Sequence, residues 1–185
     1  IAVVVLGESA WGTPGGQITN GEGYDVASLN LTGLQEDLLR AVYGTGIPTI
    51  LVLINGRPLS IQWAAENIPG IIEAWLPGEK GGDAVADIIF GDCNPSGKLP
   101  ITIPRHVGQL PVYYNYTPDK DYWIKHGWGK AYADMPATPL WEFGFGLSYT
   151  SFEYSNLQIN PKETGPFGEI RIKVDVTNTG NRNGA

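Results

Sequence analysis

The sequence predicts a layered α/β sandwich with a mainly parallel sheet, followed by the first strands of a β-sandwich. Three observations lead there. Over roughly the first hundred residues, short apolar runs rich in β-branched residues alternate with helical patterns. From about residue 94 the texture turns to proline, glycine and aromatics. After Thr150, apolar and polar residues alternate, as in a half-buried antiparallel strand.

"AVVVL" (2–6), "TILVLI" (49–54) and "GIIEAW" (70–75) are continuous apolar runs, the pattern of parallel strands covered on both faces. Between the first two lies "TGLQEDLLRAVYGTG", with Thr32 as expected N-cap and Gln35 in capping-box spacing. Leu34, Leu38, Leu39 and Val42 share one face of that helix, and Gly44 and Gly46 end it. "LSIQWAAEN" and "GGDAVADIIFG" predict two further short helices. Alternation of this kind implies right-handed crossovers in one sheet.

"NPSGKLPITIPRHVGQLPVYYNYTP" predicts a long irregular connection, whose aromatics are expected to pin it to a scaffold. "FEYSNLQI" and "EIRIKVDVTNTG" predict two strands, the second with Ile170, Ile172, Val174 and Val176 on one face. The expected division is 1–103 for the α/β part, 104–148 for the connection and 149–185 for the start of a β-sandwich domain. Both ends read as cut: the chain opens in a strand and stops after a turn, and so few strands rarely hold a fold unaided. The expectation is a segment of a longer protein.

Composition narrows the function. Among 185 residues, 42% are hydrophobic and 17% charged, which fits a globular chain and not a disordered one. A net charge of −7 gives no electrostatic footprint for nucleic acid or anionic lipid. The apolar runs are too short to span a bilayer. Cys93 is the single cysteine, so neither an internal disulfide nor a thiolate metal cluster can form, and it reads as a buried inert thiol. His106 and His126 share no ligand-type spacing. "GTPGGQITNGEG" lacks the lysine and serine or threonine that end a phosphate-cradling loop. "PGEKGGDAV" could receive an anion at a helix start, but a solvated turn with Asp83 as cap is the simpler reading. No cofactor is expected.

One carboxylate stands out. Glu22 lies between two glycines in the loop Ser9–Tyr24, which leaves the carboxyl end of the first predicted strand, the edge where open α/β sheets bind ligands. Such a residue can serve as a general acid/base, a metal ligand or an ordinary solvated side chain, and spacing alone favours the last. Glu8, at the strand end, is expected to hydrogen-bond loop amides and position the loop.

The order of motifs resembles family 3 glycoside hydrolases, the β-glucosidase and β-xylosidase group. The carriers are "VVLGESA…NGEGYDVASLNLTGLQEDLL", "NPSGKLPITIPR", "FGFGLSYT" and "VDVTNTGNRNG", the last similar to the start of a fibronectin type III-like domain. The resemblance implies a retaining exo-acting hydrolase acting on an oligosaccharide or β-glucoside, with Glu22 as acid/base. It also implies an aspartate nucleophile on a (β/α)8 barrel that this chain does not include. The inserted "WGTPGGQIT" brings Trp11, which either stacks on a sugar ring or anchors the loop. Glucosidase is the expected activity, with β-xylosidase or arabinofuranosidase as alternatives, and a non-catalytic carbohydrate-binding or scaffold module as a third. Polysaccharide-degrading members are commonly extracellular or periplasmic, and homo-oligomerisation stays open.

Overall fold

Strand β1 (Ala2–Gly7) pairs in parallel with β2 (Thr49–Ile54), and β2 pairs in parallel with β3 (Gly70–Glu73). This is a computed structural model, and it describes residues 1–10, 17–115, 126–127 and 132–185. Helix α1 (Gln35–Gly44) connects β1 to β2, α2 (Gln62–Asn67) connects β2 to β3, and α3 (Gly81–Phe90) follows β3. The β2 run matches its predicted bounds residue for residue, because an apolar β-branched segment between Pro48 and Asn55 has few alternatives.

The register decides which face of the sheet is covered. Val4 lies opposite Leu51 and Leu6 opposite Leu53, so these four share one face. That face is buried together with Leu39 of α1, Ala64 of α2 and the flanking Leu31, Leu59, Ile61 and Ile68. Burying side chains of this size stabilises by roughly 1.5–3 kcal/mol each. On the opposite face Val52 is buried, but Val3 and Val5 of β1 are exposed among the described residues. The expectation of cover on both faces thus holds for β2 and not for β1.

Helix α1 departs from its prediction in two ways. It begins at Gln35 with Leu34 in the cap position, and no side chain caps it, so Thr32 is not the N-cap. Of the four residues expected on the apolar face, Leu39 is fully buried and Val42 packs on the core, whereas Leu34 and Leu38 are exposed. Leu31, which precedes the helix, is buried in the core instead.

The connection after α3 is tied to the same unit by backbone pairing. Ile103 forms an antiparallel bridge with Trp141, and Leu99 and Phe145 are joined by an N–H···O bond of 2.8 Å. Trp141 packs against the core, and Tyr114 stacks on Phe143 with ring centroids 4.6 Å apart. Trp141 thus anchors the connection as expected, whereas Tyr114 and Phe143 are exposed and stack on each other within it.

The described residues form two compact units, Ile1–Ala86 with Lys98–Phe145, and Asp87–Gly97 with Gly146–Ala185. In the second, β4 (Phe152–Asn160) and β5 (Arg171–Asn178) form an antiparallel pair with a bulge between Ser155 and Gln158. All residues of β5 are exposed, including the alternating Ile172, Val174 and Val176. Asn94 Oδ1 accepts from the Tyr149 amide at 2.8 Å and from Ser148 Oγ at 3.1 Å, which secures the start of β4 to the turn after α3. Cys93 lies in that turn and is exposed, not buried as expected, because the backbone has already left α3 at Gly91.

Candidate active-site edge

At the carboxyl edge of the sheet, polar residues succeed one another: Glu8 after β1, Asn55 after β2, and Glu73 at the end of β3. The edge is narrow where β1 and β2 end. Gly7 has φ 148°, and a Cβ there would run into the Ile54 carbonyl oxygen. The Glu8 amide continues the ladder by donating to that same oxygen at 2.9 Å.

The Glu8 side chain is 3% exposed, and its Oε1 lies 3.2 Å from Arg57 Nε. Burial pushes its carboxyl above the ordinary range, opposed by the Arg57 guanidinium and by the Gly56 amide. Its principal partner is therefore a distant arginine and not a set of loop amides. The second oxygen of Glu8 is buried without a partner among the described residues.

The loop that carries Glu22 is closed at its neck. Ser9 N donates to Thr19 Oγ1 at 3.0 Å, and Ser9 O accepts from the amides of Thr19 at 2.9 Å and Asn20 at 3.2 Å. Glu22 occupies a turn, with Tyr24 N donating to Gly21 O at 3.2 Å. Gly21 and Gly23 have φ of 122° and 79°, conformations that only glycine adopts without strain. Glu22 is exposed, and among the described residues no hydrogen bond or ion pair holds its carboxylate. Trp11 lies outside the described residues.

One side chain braces this loop, and another braces the strand end from which the loop departs. Arg57 Nη2 donates to Tyr24 O at 3.0 Å and to Asn20 Oδ1 at 3.4 Å. Asn20 is buried over Gly56, where a Cβ would strike its amide group. On the far side, Gln35 accepts from Gly7 N at 2.7 Å and donates to Gly7 O at 2.9 Å. The same amide reaches Thr32 O at 3.1 Å and Thr32 Oγ1 at 3.0 Å. Gln35 thus ties β1 to the residues before α1; it does not complete a capping box. An open cleft of about 460 Å³ lies here, lined by Gly7, Glu8, Thr19, Thr32 and Gln35. Glu22 is not among its lining residues; it stands at the turn beyond.

Glu73 is a second carboxyl at this edge. Burial raises it to about 7, while the Trp75 amide at 3.2 Å and Asn55 Nδ2 at 3.4 Å act in the opposite direction. Asn55 is fully buried and donates to Arg57 O at 2.8 Å. Elsewhere, Asp83 lies inside the first turn of α3, not at its cap as expected, and pairs with the exposed Lys80 at 3.3 Å, and His106 Nδ1 accepts from Gly108 N at 3.0 Å.

Sequence reasoning singled out Glu22 and Glu8 but missed Arg57 and Asn20, and it gave Gln35 another role. One signal was available for Arg57. It comes three residues after the end of β2, which places it at the edge where the loop was expected.

Residues 1–149 match the glycosyl hydrolase family 3 C-terminal domain. A protein named β-xylosidase from Formosa agariphila is 51% identical over 162 residues, covering 88% of this chain and 22% of the relative. A protein named periplasmic β-glucosidase from Salmonella typhimurium is 40% identical, covering 100% of this chain and 24% of the relative. Among solved structures, a β-glucosidase from Erythrobacter marinus superimposes with a TM-score of 0.82 at 43% identity, covering 98% of this chain and 23% of that one. A β-glucosidase from Listeria innocua in complex with glucose gives 0.81 at 34% identity, with 96% and 24% covered. The chain thus spans less than a quarter of the length of these four relatives.

Proposed function

The chain belongs to glycosyl hydrolase family 3, within its C-terminal domain, and from that premise we propose that it supplies the general acid/base of a retaining, exo-acting β-glucosidase, with Glu22 in that role. The observation that carries the reading is the placement of Glu22: an exposed carboxyl on a glycine-flanked turn, braced on both sides, at the carboxyl edge of a parallel sheet.

The chemistry needs two carboxyl groups roughly 5–5.5 Å apart across the scissile bond. Protonated Glu22 gives its proton to the departing glycosidic oxygen as the bond from that oxygen to the anomeric carbon breaks. An aspartate on the (β/α)8 barrel of the whole enzyme forms an ester to the same carbon. Glu22, now a carboxylate, takes a proton from water while the water oxygen attacks the anomeric carbon and frees the aspartate. A turn that projects its acid into solvent suits a site completed by another domain. Residues 149–185 fit the start of a fibronectin type III-like domain. The whole enzyme acts on a terminal β-D-glucosyl residue and works in the periplasm or outside the cell, in line with the name of the Salmonella relative.

The test is Glu22→Ala in the full-length enzyme. Activity on glucosides with poor leaving groups is expected to fall by about 10²–10⁴-fold, with a much smaller loss on dinitrophenyl glucoside and recovery with azide as a β-glycosyl azide. Equal small losses on every substrate would instead favour a scaffold role. The second reading, β-xylosidase, is favoured by the name of the Formosa relative. Comparing kcat/KM for aryl glucoside and aryl xyloside decides between the two sugars.

A further inference from the structure

Gly21 and Gly23 leave the backbone around Glu22 without steric preference, so something other than local geometry must fix where the carboxyl points. The Arg57 guanidinium touches the loop at two places and the residue before it at a third. Nε faces Glu8 before the neck, Nη2 reaches Asn20 two residues ahead of Glu22, and the same Nη2 reaches Tyr24 O two residues after it. We propose that Arg57 is a positioning residue: it clamps both flanks of the turn and sets the direction from which Glu22 delivers its proton. This rests on Glu22 being the acid/base.

The clamp is built into the core. Asn55, fully buried at the end of β2, donates to the Arg57 carbonyl and fixes the backbone from which the guanidinium extends. Gly56 lacks the Cβ that would push Asn20 away. The Arg57 side chain is 19% exposed and its Glu8 partner 3%, so the pair is not a loose surface bridge. Glu8 thereby acts as the fixed post of the clamp, aligning the plane of the guanidinium so that its other edge faces the turn. Lysine would keep a positive charge beside Glu8, but a single ammonium cannot bond Glu8 through one nitrogen and the turn through another.

A merely structural arginine and a positioning one differ in what their loss does to catalysis. The experiment uses the full-length enzyme with Arg57→Lys, Arg57→Ala, Glu22→Ala and the double variant Arg57→Lys/Glu22→Ala. Each is assayed on alkyl glucoside and on dinitrophenyl glucoside, with and without azide. Arg57→Lys is expected to lower kcat on alkyl glucoside by about tenfold to a hundredfold. KM should barely change, dinitrophenyl glucoside should lose less than about threefold, and azide should give no rescue, because the Glu22 carboxylate is still in place. The double variant should be no slower on alkyl glucoside than Glu22→Ala alone, because both changes act on one proton transfer.

If Arg57→Lys slows both substrates equally while Glu22→Ala discriminates between them, Arg57 does not position the acid and the proposal is overturned. A further loss in the double variant overturns it as well. If Glu22→Ala itself shows no leaving-group dependence, the acid/base reading fails first, and the positioning role with it. Should Arg57→Ala not fold because Glu8 is left buried without its partner, the lysine variant decides alone.

Discussion

Glu73 ends β3 with its carboxyl half-buried, and its titration reflects that. In the unfolded chain the group titrates near 4.5, and in the fold at about 7. Between those values the folded form binds more protons, so stability declines as pH rises through this window. The contribution is fully present below the unfolded value and lost above the folded one. At 1.36 kcal/mol per unit the swing is on the order of 3 kcal/mol, trimmed by the remaining exposure. Glu73→Gln keeps the shape and removes the titration. The variant is expected to flatten the decline in thermal midpoint between pH 4 and 8, and to exceed the parent at pH 8 by roughly 1–3 kcal/mol. Calorimetry of both full-length proteins across that range checks it; parallel curves would contradict the burial of this carboxyl. Glu8 is pushed in the same direction, and the difference between variant and parent isolates Glu73.

At the scale of elements, two junctions hold the candidate site to the sheet. Gly7 lets β1 and β2 close together where the loop departs, and a Cβ would collide with main-chain atoms of Ile54, which cannot swing aside. Gly7→Ala is expected to cost about 3 kcal/mol or more through strain at the strand end, read as a lowered thermal midpoint or loss of soluble protein. The second junction is the Gln35 amide, which joins Gly7 to Thr32. Gln35→Leu preserves volume and helix propensity but leaves the Gly7 amide and carbonyl without these partners. A destabilisation of about 1–3 kcal/mol is expected in chemical denaturation, with activity falling on all substrates alike. A selective loss on poor leaving groups would mean that Gln35, like Arg57, directs the acid.

For the whole molecule, the decisive fact is length: this chain matches less than a quarter of the Formosa, Salmonella and Erythrobacter relatives. A retaining mechanism divides its work between two carboxyl groups, and the chain is proposed to carry one. The isolated chain is therefore expected to show no glycosidase activity above background. Supplying the barrel part, in the same polypeptide or as a separate fragment, should restore turnover. Robust hydrolysis by the isolated chain would contradict the division.

Much of this architecture can be read from local pattern. An apolar β-branched run such as 49–54 marks a strand wherever it occurs, and the alternation from 171 to 178 marks another. The proposed acid was legible through motif order, since Glu22 stands in a block that resembles the family. Contacts between distant segments were not legible. Leu34 and Leu38 carry the same periodicity as Leu39, yet only Leu39 is buried, because the register of β1 on β2 determines which strip of α1 faces the sheet. Arg57 looks like a surface arginine in its own neighbourhood, and its partners Tyr24 and Asn20 are 33 and 37 residues away. Pairing Gly7 with Ile54 brings Glu8 beside the turn after β2, and that pairing alone converts an ordinary arginine into a clamp on the loop. Local pattern thus specifies the strands and the helices, and the resemblance in motif order points to the proposed proton donor. The contacts proposed to direct that donor depend on strand register, a long-range property that no short stretch of sequence encodes.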